Sequence, residues 1–312
     1  MKKKIIIIIL NLLYCSCFSQ TARKIFVADS ATHEPIEYAC IVFADTAGGT
    51  YSNNKGLFYI PENIKYVEIS NIGYHSKTVK LNKNTDTIFL SSQIYEISET
   101  KVTPVKQKRK PVELGYAKEK SKYSIGFFGG GEIAVYIPLD NENNIFGLIK
   151  QVIIRGETDI VKEIKIGKIT YNTDKANYTS VFKVNFYQVN ENKEIGELIN
   201  TEDIVFTNKN LKGRTKLDVS KYGIYMPENG IFVAIEFVGS INAENGELIT
   251  DIKKTGILHR VLVSYEIASS TVYEKQKFKR ELHSKWKKSV RDTVVHKEFN
   301  NGYTPLISIA LE

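Results

Sequence analysis

The side chains that could carry chemistry in these 312 residues are few and scattered. The five histidines are His33, His75, His259, His283 and His296, and no two of them share a metal-ligand spacing. His259 has the same strand parity as Ile257 and Val261, so it reads as a core histidine whose polar atoms are satisfied. Cys40 sits in the apolar run Ala39-Cys40-Ile41-Val42-Phe43. Nothing there would lower a thiol pKa, so it reads as a small buried hydrophobe. Gly129-Gly130-Gly131 lacks the Gly-Lys-Ser/Thr ending of a phosphate loop and precedes a strand, which makes it a bend. No Gly-x-Ser-x-Gly elbow marks a serine nucleophile. Glu132, Asp218 and Glu236 are acids on or near strands, but their spacing selects no pair. No catalytic, cofactor-binding or metal-binding residue is assigned, and no cofactor is expected.

One stretch stands out as a contact surface. From Glu274 to Lys297 the chain is strongly basic, and Phe278, Leu282, Trp286 and Val290 recur every four residues. That period would give a helix an apolar stripe, and a hairpin built around Trp286 is the other solution. Either would pack on the body of the protein. The functional alternative is a surface site formed by Lys285, Trp286, Lys287 and Lys288, meeting a sugar or a lipid headgroup.

The compartment follows from the N-terminus. Lys2, Lys3 and Lys4 precede an apolar run from Ile5 to Leu13, broken only by Asn11. About 10 residues are too few for a bilayer-spanning helix, which needs about 20. Residues 1–19 therefore read as a signal peptide cleaved before Gln20. Cys15 and Cys17 raise the prospect of lipidation, but Tyr14 spoils the lipobox at either position. The protein is expected to be exported to the periplasm or the outer membrane, which removes it from nucleic acid. Cys40 alone then remains, so no intramolecular disulfide supports the fold. Of the formal charge of +8, three units are the signal lysines, leaving +5. A modest positive excess favours anionic glycans or membrane surfaces without naming one.

The rest is strand rhythm. Tyr (18) and Phe (15) are abundant, and aromatic side chains fit a pleated, half-buried surface. Lys24 to Val27, Tyr38 to Phe43, Leu57 to Ile60, Tyr66 to Ile69, Ser76 to Leu81 and Thr87 to Leu90 are short strands. Turn residues at Ala47 to Thr50 and Asn53 to Gly56 separate them. The order Asp29…His33-Glu34-Pro35-Ile36-Glu37-Tyr38-Ala39, Gly49-Thr50, Asn54-Lys55-Gly56-Leu57-Phe58-Tyr59-Ile60 and Ile72-Gly73-Tyr74 resembles the carboxypeptidase-regulatory-like (transthyretin-like) domain of Gram-negative envelope proteins. Asn53 departs from its usual acidic turn residue. The resemblance implies a β-sandwich with a spacing or docking role and no peptidase activity. No plug or barrel of a transporter follows.

Residues 20–103 are read as this first sandwich and 104–125 as a basic, proline-containing linker, a solvated tether across which few contacts pass. Residues 126–312 are read as a larger jelly-roll-like sandwich. Ile133, Val135 and Ile137 are assigned to one buried face, as are Leu148, Val152 and Ile154. Phe182, Val184 and Phe186 form a third set, and Ile231, Val233, Ile235 and Phe237 a fourth. This half is similar to β-sandwich regions of uncharacterised envelope proteins, and that likeness implies no activity. The expected function is a non-catalytic cell-envelope binding or structural protein. Its partner would be an envelope protein or glycan, with peripheral membrane association. The alternative is a secreted or periplasmic hydrolase of glycan or peptide with its site in the second sandwich.

Overall fold

The computed structural model describes residues 22–46, 48–93, 112–118, 123–127, 129–139, 147–157, 163–166, 169–172, 178–208, 213–250, 261–267, 277–281, 285, 287–288, 303–305 and 307–311. The signal-peptide reading, His259, Trp286 and residues 104–111 of the linker lie outside the described residues. Among the described residues the fold is nearly all β, with 59% in strands and no α-helix.

The first sandwich contains β1 (Ala22–Asp29), β2 (Cys40–Phe43), β3 (Gly48–Tyr51), β4 (Leu57–Pro61), β5 (Tyr66–Ser70), β6 (Lys77–Lys80) and β7 (Thr87–Leu90). One sheet has the order β4-β1-β7 and the other β3-β2-β5-β6. Alternation decides what lies between them. Ile25 and Val27 of β1, Phe58 and Ile60 of β4 and Ile88 and Leu90 of β7 meet Ile41, Val67 and Ile69 from the opposite sheet. Gly56 turns the chain into β4 at φ 68°, and a Cβ there would fall 2.4 Å from the Val27 carbonyl oxygen. Gly48–Tyr51 is a strand where the glycines had suggested a turn. Its pairing with β2 supplies the energy that local propensity lacks.

The second sandwich opens with β8 (Val112–Gly115), β9 (Tyr123–Phe127), β10 (Gly131–Ile137) and β11 (Ile149–Glu157). A small hairpin, β12 (Glu163–Ile166) and β13 (Ile169–Asn172), stands apart. Then come β14 (Tyr178–Val189), β15 (Ile195–Leu198), β16 (Ile204–Asn208), β17 (Gly213–Asp218), β18 (Ile231–Asn242) and β19 (Leu248–Ile249). The chain closes with β20 (Val261–Ile267), β21 (Lys277–Glu281), β22 (Lys287–Lys288), β23 (Tyr303–Pro305) and β24 (Ile307–Leu311). Strands β10, β14–β16, β18, β19, β21 and β22 form one sheet; β8, β9, β11, β17, β20, β23 and β24 form the other. The chain crosses from sheet to sheet again and again, which is the jelly-roll-like path.

Two expectations change here, and one open alternative is decided. Val112–Gly115 pairs with β24, so part of the segment read as linker belongs to the second sandwich, which starts before residue 126. A strand needs only a partner, and composition could not reveal β24 as that partner. A bulge between Ile149 and Gln151 shifts the register, so Ile149 and not Leu148 joins Val152 and Ile154 in the core. The basic segment forms strands at Lys277–Glu281 and Lys287–Lys288, with Phe278 opposite Lys288 and Lys279 opposite Lys287. It is a hairpin and not a helix, because β21 finds the edge of β10.

The two sandwiches stack. Cys40 and Tyr51 lie on the outward face of the β3-β2-β5-β6 sheet, and Tyr38 joins them. All three pack against Val181 of β14 and Val238 of β18. Four sheets thus lie in succession, with an apolar core inside each sandwich and a third cluster between them. The tether reading expected few contacts between the halves; this cluster is a contact surface between them.

Candidate functional site

The seam between the sandwiches holds a buried polar cluster, and its members on β10, β14 and β18 are placed by strand alternation. On β14, Phe182, Val184 and Phe186 enter the core, so Lys183, Asn185 and Tyr187 take the opposite face. On β18 the core takes Ile235 and Phe237, which leaves Glu236 outward; on β10 it takes Val135 and Ile137, which leaves Glu132 outward. Glu236 is the ladder partner of both Glu132 and Lys183. The first sandwich then covers this face. Glu132, Lys183, Asn185 and Glu236 are each no more than 2% exposed.

Two carboxylates side by side on a sheet repel one another unless donors intervene. Asn185 Nδ2 donates to Glu132 Oε1 at 2.8 Å and to Glu236 Oε2 at 3.3 Å. Tyr187 Oη donates to Glu132 Oε1 at 2.9 Å. From the other sandwich, Tyr51 Oη donates to Glu236 Oε1 at 2.5 Å. Arg280 is the ladder partner of Glu132 on β21. Asn185 Oδ1 is buried with no hydrogen-bond partner. Beside this group, Lys183 Nζ donates to Asp203 Oδ2 at 2.8 Å and to Asn71 Oδ1 at 3.3 Å. Thr50 and Thr250 hydroxyls meet at 2.9 Å across the same seam.

The electrostatics follow from burial. Desolvation and then the Glu236 charge push the Tyr51 phenol well above its ordinary value. Burial pulls Lys183 toward the neutral amine, but Asp203 and Glu236 outweigh it and hold its pKa above the usual one. Both folded values lie above the unfolded values of 10.0 and 10.5. Their contribution to stability is therefore complete below those values and is lost as pH rises through the folded ones. The urea midpoint, followed by far-UV circular dichroism, is expected to stay level up to about pH 10 and to fall above it on account of Tyr51. Tyr51→Phe should remove part of that alkaline fall. An unchanged alkaline fall in the variant would show that Tyr51 does not govern it.

Of the sequence candidates, Glu132 and Glu236 come together and Asp218 does not. Asp218 is exposed at the end of β17, where its Oδ1 accepts from the Ser220 hydroxyl at 2.6 Å and amide at 2.9 Å; these bonds hold its pKa below the usual value. Lys285 is exposed. Cys40 is fully buried. His33 stacks obliquely on Phe89, and no cluster of three metal-ligating side chains occurs among the described residues. Lys183 and Asn185 alternate with Phe182, Val184 and Phe186, and nothing in the sequence announces a second sheet on their face. No known family, curated protein or solved structure matches the chain.

Proposed function

We propose that this chain is a non-catalytic module of the cell envelope, exported by its N-terminal segment and binding an anionic envelope glycan through its basic surface. One observation carries the reading. The acids that come together, Glu132 and Glu236, are enclosed at the seam and engaged by Tyr51, Asn185 and Tyr187. A substrate would have to part the sandwiches to reach them. Carboxylates used this way hold two domains in one orientation, and such a joint suits a spacer or docking body. The exposed Lys285 and the excess charge of +5 supply the attraction to a polyanion.

Co-sedimentation of the purified mature protein with isolated peptidoglycan and with lipopolysaccharide vesicles tests this. Salt-sensitive binding to either one is expected, with no reducing sugar or free amine released. Release of product that disappears in Glu132→Gln or Glu236→Gln would establish the hydrolase reading in its place. Failure to sediment with both would remove the glycan.

A further inference from the structure

We propose that Lys183 and Asn71 are the two halves of an intramolecular amide cross-link that joins the first sandwich covalently to the second. Three groups meet at one point. Lys183 is a fully buried amine on β14. Asn71, in the turn after β5, brings its carboxamide from the first sandwich to 3.3 Å from Nζ. Asp203, just before β16, accepts from the same nitrogen at 2.8 Å. The Asn71 oxygen is fixed as the acceptor, since an ammonium group only donates. A carbonyl bond of about 1.23 Å puts Nζ within about 4.5 Å of the Asn71 Cγ, one small side-chain rotation from attack distance. Gly73 of the same turn comes close to the second sandwich: a Cβ on it would lie 3.4 Å from the Thr201 carbonyl oxygen.

The chemistry balances without a co-reactant. Asp203 takes a proton from the Lys183 ammonium, and the freed electron pair attacks the Asn71 Cγ. As the tetrahedral centre collapses, Asp203 passes that proton to Nδ2 and takes a second one from Nζ, so it ends as a neutral acid beside the new amide. The Nζ–Cγ bond forms, the Cγ–Nδ2 bond breaks and ammonia leaves. Asn71 is only partly buried, which gives ammonia a way out. The product replaces a buried ion by a neutral amide, and that lifts the desolvation penalty of Lys183. Asp203 could also be the acylated partner, with loss of water. The geometry favours Asn71, because the 2.8 Å ion pair keeps Asp203 as a charged carboxylate, a poor electrophile. The inference does not depend on the proposed function.

Peptide mapping of the full mature protein by mass spectrometry after trypsin tests it. The expected result is a branched peptide joining the Asn71 and Lys183 segments, lighter than its two parts by one ammonia, with no cleavage after Lys183. Lys183→Arg abolishes the branch, and Asp203→Ala slows its appearance by about 100-fold, the scale of a lost general acid–base. The wild-type map decides the matter even if a variant fails to fold. Linear peptides with Asn71 and Lys183 unmodified would overturn the proposal. So would a link to Asp203 with loss of one water.

Discussion

Glu236→Ala is expected to cost about 3–5 kcal/mol of folding stability, the range for breaking a buried charge network by removing one partner. The side chain is 1% exposed, so water cannot take its place. Tyr51 Oη loses its acceptor inside a closed seam, and Asn185 keeps only its bond to Glu132. Lys183 loses one of the two negative charges that hold it as an ammonium. Glu236→Gln keeps the shape and an acceptor for Tyr51 while removing the charge. Equilibrium urea unfolding of wild type and both variants gives the answer. The alanine variant should lose the most, with glutamine in between. Equal stability in all three would mean that the seam rests on its apolar cluster alone.

Phe182→Ala should cost as much from the other side of the same strand, about 3–5 kcal/mol for emptying a large core site. Phe182 is fully buried, stacked on Phe206 with ring centroids 4.9 Å apart and tilted against Phe237 at 5.5 Å. It also marks the bulge, since the ladder between β14 and β18 shifts between Val181 and Phe182. Calorimetry reads both the loss and its distribution. Because the seam ties the halves together, the whole transition should move to lower temperature. A split trace, with the first sandwich melting where it did before, would show that the seam does not couple them.

The fold was legible wherever alternation reports burial on one face. Ile231, Val233, Ile235 and Phe237 share one face of β18, and they sit in the core as read. Gly56 and Gly73 announced their turns, and both have positive φ. The joint was illegible for a physical reason. Lys183 and Asn185 are buried by a sheet from elsewhere in the chain, and sequence period carries information about one strand at a time. The same limit hid β8, whose partner β24 lies almost two hundred residues away. Glu132 and Glu236 were visible as candidates, but their direct pairing depends on β10 lying next to β18. The basic segment stayed open between helix and hairpin, because its four-residue spacing says nothing of the β10 edge with which β21 pairs.

The position of β24 has a kinetic meaning. Its residues Ile307, Ile309 and Leu311 fill the core of the second sandwich, and the strand holds β11 on one side and β8 on the other. The core closes only when this late segment returns to strands formed from much earlier sequence. Non-local pairing of this kind makes folding slow, since loop closure must precede the contacts that reward it. Until β24 docks, β8 and β11 present unpaired backbone and apolar side chains, which is the state most exposed to aggregation. A chain in which β24 has not yet docked is therefore vulnerable.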